Sequence, residues 1–212
     1  MKTLFLLSAV LAVAAPALRA ETYDIDAAHS QVGFRVKHLV GRVPGRFTKF
    51  SGTIDFTPGK PESWKVDAKI DPASINTDND KRDGHLKTAD FFDVEKFPEM
   101  SFKSTKVTDV KGDSAKLAGD LTMHGVTKPV VLDLEIGGTT KDPWGNAKAG
   151  FSAKGKLNRK DWGIVWNKAL DNGGVMLGEE IEISIDVEAQ AAKPAEGKGA
   201  DKAAKPAQKG KK

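Results

Sequence analysis

KLAGDLTMHGVTKPVVLDLEIGG, from Lys116 to Gly138, reads as two strands joined by a turn. Leu117, Gly119, Leu121 and Met123 alternate with Lys116, Asp120 and Thr122, a period of two that buries one face and wets the other. His124-Gly125 marks the turn. Val130, Leu132, Leu134 and Ile136 then repeat the pattern around Asp133 and Glu135, and Gly137-Gly138 is expected to end that strand.

The same alternation extends outward in both directions. Upstream, Val32, Phe34 and Val36 share a face between Ser30 and Leu39, and Gly41, Pro44 and Gly45 are expected to turn the chain. Phe50, Gly52, Ile54 and Phe56 follow, then Trp64, Val66, Ala68 and Ile70, as a hairpin across Pro58 to Pro61. Met100 and Phe102 open a strand that runs through Val107 to a Gly112-Asp113 turn. Downstream, Ala149, Phe151, Ala153, Gly155 and Leu157 form one face and Ile181, Ile183, Ile185 and Val187 another. These are eight one-sided antiparallel strands, an all-β chain that must close into a barrel or stack as two sheets. Small residues on the inward face, Ala68, Gly119, Ala149, Ala153 and Gly155, either leave room for a ligand or make room for bulky neighbours.

The stretch from Asp78 to Phe102, DNDKRDGHLKTADFFDVEKFPEMSF, departs from the pattern. Thr77 is placed to cap a short helix, with Asp80 completing a weak capping box, and His85, Leu86, Phe91 and Phe92 are presented inward. Pro98 then stops the helix. A charged start followed by large apolar groups makes this stretch a lid over an apolar interior.

The ends of the chain differ from its middle. Met1 to Ala20 has a basic Lys2, an apolar run and small residues at Ala15, Ala17 and Ala20, the pattern of a cleavable secretory signal peptide. Export to the periplasm is the expectation. The segment 189–212, AQAAKPAEGKGADKAAKPAQKGKK, lacks large apolar side chains and reads as a disordered tail, so truncation at Glu188 is expected to leave stability unchanged. Its lysines suit contact with an anionic membrane surface. Removing Lys2, Arg19 and seven tail lysines from 33 basic residues, and Glu196 and Asp201 from 29 acidic ones, leaves 24 against 27. The domain 21–188 is therefore slightly acidic, which argues against nucleic acid as a partner. With no cysteine, its stability rests on packing alone.

Signals of catalysis are sparse. There is no nucleophile elbow, and His29, His38, His85 and His124 lie in separate segments without the spacing of a metal pair. His85 with Asp83 or Asp90 offers one acid–base pairing, against which stands a lid held by local ion pairs. Aromatic residues are plentiful: Phe34, Phe91, Phe92, Phe102, Phe151, Trp162 and Trp166, with Arg159 beside the two indoles in RKDWGIVW. An apolar pocket with a few polar groups at its mouth is the usual layout of a small-molecule site.

YDIDAAHSQVGFRVKHL, RFTKFSGTIDF, RDGHLKTADFFDVEKFPEMSF, GDLTMHGVTKPVVLDL and NRKDWGI, in this order, resemble the YceI-like family of exported polyisoprenoid-binding proteins. Pro44 and the Lys-Ala-Pro tail depart from that pattern. The resemblance implies an eight-stranded antiparallel, lipocalin-like barrel with a short helical lid and no established catalytic residues or cofactor. The expected function is a periplasmic carrier, monomer or homodimer, that holds a polyprenyl phosphate or isoprenoid quinone in its lumen. The expected ligand-binding set is Val32, Phe34, Val36, Phe91, Phe92, Phe102, Gly119, Leu121, Met123, Phe151, Ala153, Trp162 and Trp166, with Arg82, His85, Lys87 and Arg159 for the head group. Two rivals remain at this point: an enzyme acting on an amphiphilic lipid through His85 and Asp83, and an envelope-stress interaction module with a packed interior.

Overall fold

The computed structural model describes residues 21–171 and 173–192; the expected signal peptide and the chain beyond 192 lie outside the described residues. The strands, in chain order, are β1 (Glu21–Ile25), β2 (Gln31–His38), β3 (Gly41–Phe47), β4 (Phe50–Phe56), β5 (Lys65–Ile70) and β6 (Ile75–Asn76). The helix α1 (Asp80–Leu86) follows, then β7 (Met100–Lys111), β8 (Ser114–Met123), β9 (Val126–Lys141), β10 (Ala147–Asn158) and β11 (Leu177–Ala191).

All pairings are antiparallel, and β1, β4, β5, β7, β8, β9, β10 and β11 form a ring in that order. The ring shuts where β1 meets β11, with Tyr23 opposite Ala191. The sheet therefore has a closed eight-stranded barrel as its body, and the stacked-sheet alternative falls away. The other half of β11 pairs with β2, from which β3 and the two-residue β6 extend toward α1.

The decisive hairpin forms as its alternation predicts. Leu117 lies opposite Leu132 and Met123 opposite Val126. His124 and Gly125 have φ of 50° and 74°, the pair of positive values that a tight turn between right-twisting strands demands. Gly137-Gly138 does not end β9. Ile136 pairs with Phe151 but Gly138 with Gly150, so the glycines make a bulge and the strand continues to Lys141.

Three other expectations are corrected. The chain turns at Leu39 and Val40, while Gly41, Pro44 and Gly45 belong to strand β3. Pro44 is tolerated because β6 pairs only with Arg46 and Phe47, leaving the outer edge at Pro44 open and its missing N–H without a ladder bond to break. The helix is capped by Asn79, whose side chain accepts from the Arg82 N–H at 3.0 Å, and Thr77 serves elsewhere. Finally, β11 runs past Glu188 to Ala191, and Ala189 is wholly buried opposite both Ala149 and Ile25.

Buried residues gather at the two ends of the barrel. Phe47, Ile75, Phe91, Met123, Trp162 and Ile164 pack beneath the lid, and Phe50 at the start of β4 leans on them. Phe56, at the other end of the same strand, joins Tyr23, Trp64, Ala149 and Ala189 in the second cluster. Between the clusters the interior is hollow.

Candidate ligand-binding site

The hollow is a cavity of about 520 Å³, inside the range of roughly 300–1,000 Å³ typical of small-molecule sites. A filled interior is thereby excluded. The walls come from the inward faces of the strands: Val32, Phe34 and Val36 of β2, Phe102 of β7, Leu121 and Met123 of β8, and Phe151 and Ala153 of β10. Period-two alternation turns these side chains inward, from the ring strands and from β2, which extends the wall along β11. Ile54, Val66, Ile70, Leu132, Ile183 and Ile185 complete the walls.

Polar lining groups are few. Apart from Ser51, they are His38, Thr77, Lys81, Arg82, His85 and Arg159, all at the lid end. There Phe91 is buried with its ring 5.1 Å from that of His85 and 5.2 Å from that of Trp166, centroid to centroid. Phe92, half-buried, meets Phe47 edge-on at 5.7 Å. Both phenylalanines and Trp166 line the cavity.

Three of the expected residues do not. Lys87 caps the C-terminus of α1 and stands away from the cavity, while Lys81, absent from the expected set, lines it. Trp162 is only 2% exposed and donates its indole N–H to the Leu121 carbonyl at 3.1 Å, so it is a wall support. Gly119 faces inward but is covered: a Cβ there would lie 2.4 Å from the Phe102 ring. The two readings of the small inward residues thus each hold somewhere. Ala68 and Ala153 line open space, whereas Gly119 and Gly155 make room for Phe102 and Leu132.

The lid is fixed by hydrogen bonds that occupy most of its polar groups. Asp83, buried, accepts from both the backbone N–H and the hydroxyl of Thr77. Arg82 donates to the Thr77 hydroxyl and carbonyl, each at 2.7 Å. His85 meets Asp90 at 2.7 Å instead of Asp83, so the proposed His85–Asp83 acid–base pair does not form.

Arg159 differs from the other cations. It is 3% exposed, with Nε donating to the Gly178 carbonyl at 3.0 Å and Nη1 to the Ile164 carbonyl at 2.8 Å. Its Nη2 is buried and without a hydrogen-bond partner among the described residues. Burial pulls the guanidinium below its ordinary value, partly opposed by the charge of Glu179.

Elsewhere, Asp26, His29 and Glu188 come together in a way that would suit a cation. Lys148 already fills that role, reaching Asp26 at 3.3 Å and Glu188 at 3.0 Å.

The model of the YceI-like domain matches residues 23–189. The chain belongs to the YceI-like family. A relative, a UPF0312 protein of Photorhabdus laumondii, is 43% identical over 164 residues, covering 77% of this chain and 83% of the relative. The crystal structure of the Campylobacter jejuni YceI protein is similar with a TM-score of 0.64 at 40% identity, covering 79% of this chain and 96% of that one. A polyisoprenoid binding domain from Saccharophagus degradans shares the fold alone, with a TM-score of 0.57 at 16% identity over 80% of this chain and 98% of that domain.

Proposed function

We propose that the protein is a periplasmic carrier that encloses the hydrocarbon chain of an isoprenoid lipid in its barrel. The observation that carries this reading is the apolar hollow running between the two end clusters, with its polar lining groups, apart from Ser51, at one end. Burying apolar chain contributes about 25 cal/mol per Å², so a long hydrocarbon would bind tightly with few polar contacts. A slender, branched polyprenyl chain suits a lumen walled by Val, Ile, Leu and Phe, and the polyisoprenoid binding domain of Saccharophagus degradans has the same architecture. The signal-peptide pattern read in residues 1–20 supports a periplasmic setting.

The test is native mass spectrometry of protein secreted into the periplasm of a bacterial host, followed by extraction. A co-purified polyprenyl lipid is the expected result. Protein that emerges empty and fails to take up a polyprenyl probe would overturn the proposal.

A further inference from the structure

Four basic side chains are expected at the head group, and their surroundings separate them. Arg82 is exposed and spends Nε and Nη2 on Thr77. His85 is engaged by Asp90, and Lys87 stands off the cavity. Arg159 alone among the four is buried, lines the cavity and retains an unpartnered donor, Nη2.

Its charge is also compensated only in part. Among the described residues no carboxylate forms an ion pair with Arg159, and Glu179, the acid whose charge it feels, is paired with Lys160. A buried guanidinium hydrogen-bonded only to two neutral carbonyls is costly to maintain, because the charge of Glu179, shared with Lys160, repays its desolvation only in part. A ligand would repay it if it carried both an oxygen acceptor and a negative charge.

Resting on the carrier reading above, we propose that the natural occupant is an anionic amphiphile, a phosphate or carboxylate on an apolar chain, whose head-group oxygen accepts from Arg159 Nη2 beneath the lid. A neutral quinone or free prenol would satisfy the hydrogen bond and leave the charge unmet. Lys81, exposed on the lid at the same end, adds a second positive charge near the entrance.

The test compares three probes with the same chain: geranylgeraniol, geranylgeranyl phosphate and geranylgeranoic acid. Binding of each is measured by calorimetry on the full mature protein and on Arg159→Gln. The phosphate, the acid or both should bind the parent about tenfold or more tighter than the alcohol, as a charge-assisted bond predicts, and Arg159→Gln should erase that margin. Comparison of the two anions assigns the head group. Equal binding of alcohol and anions, or a margin that survives in Arg159→Gln, overturns the inference and leaves the carrier reading standing. Failure of every probe to bind overturns the carrier reading itself. Should Arg159→Gln not fold, nitrogen NMR of the parent decides: the slowly exchanging buried guanidinium should shift with the better-binding anion and not with the alcohol, and its failure to shift overturns the assignment.

Discussion

Gly119 on β8 sits under the ring of Phe102 on β7, so close that a Cβ there would lie 2.4 Å from Phe102 Cζ. The ring occupies the space that an ordinary side chain would take. Gly119→Ala is therefore expected to cost about 1–3 kcal/mol through overpacking. In a Phe102→Leu background the cost should shrink in part, the Lys103 carbonyl at 2.6 Å from the added Cβ remaining, which a double-mutant cycle on denaturation midpoints would read. Ala153→Leu, aimed into open cavity, should cost less stability and abolish uptake of a polyprenyl probe.

Phe91 and Phe92 are adjacent but differ in setting. Phe91 is 6% exposed and wedged between His85 and Trp166, so Phe91→Ala should lose about 3–5 kcal/mol, as removal of a core ring does. Phe92 is half-buried at the cavity wall. Its removal should lower stability less and lipid affinity more. Loss of the full core amount of stability in both variants, with lipid bound as before once folded, would mean that the lid reads no ligand.

Asp83 ties the lid to the strand before it. Asp83→Ala leaves the Thr77 N–H without its acceptor in a buried site, a loss of about 1–3 kcal/mol. Because the lid rather than the barrel loses its anchor, hydrogen exchange should quicken first across 77–92. Uniform quickening throughout the barrel would contradict this.

Tyr23 is the single tyrosine of the chain, so ultraviolet titration reports on it alone. Burial, helped by its 2.8 Å hydrogen bond to Glu21, pushes its pKa up to about 12. The neutral phenol is thus favoured in the fold. The stability this contributes is present below the ordinary value of about 10 and is lost as pH rises through the folded value. The midpoint should fall to about 10 in denaturant, and a native midpoint near 10 would mean that the β1–β11 seam is open to water.

Chain length at the C-terminus supplies a further check. Ending the chain at Glu188 removes Ala189, which is wholly buried between Ala149 and Ile25, and with it the pairing that shuts the ring. A clear drop in melting temperature is expected relative to a chain ended at Ala192.

Period-two alternation made the long strands legible because each has one wet face and one dry face, and residues such as Leu121, Met123 and Phe151 could be assigned to the interior from that alone. Alternation is faint where a strand is short or interrupted by Gly and Pro. β1 shows only Tyr23 and Ile25 on its inward face, and in β3 Pro44 and Gly45 stand between Val43 and Phe47, so alternation alone does not mark either. Ala189 was read as tail because its burial depends on pairing with β1 and β10, a contact between opposite ends of the chain. The wall residues were recoverable for the same reason as the strands. Trp162 and Gly119 were not, because whether an inward residue meets ligand or neighbour is decided across the sheet, by Leu121 and Phe102.

The pairing of Tyr23 with Ala191 joins segments near the two ends of the described residues, so the ring has no wall on that side until β11 has been made. Contacts this distant in sequence form slowly. Up to that moment the apolar lining is an open trough, and only the arrival of β11 turns it into a compartment. A lipid present during assembly would be wrapped rather than threaded, and one encountered later would have to pass the lid. Refolding with and without a polyprenyl probe would show whether the slow closing step is the one a cargo accelerates.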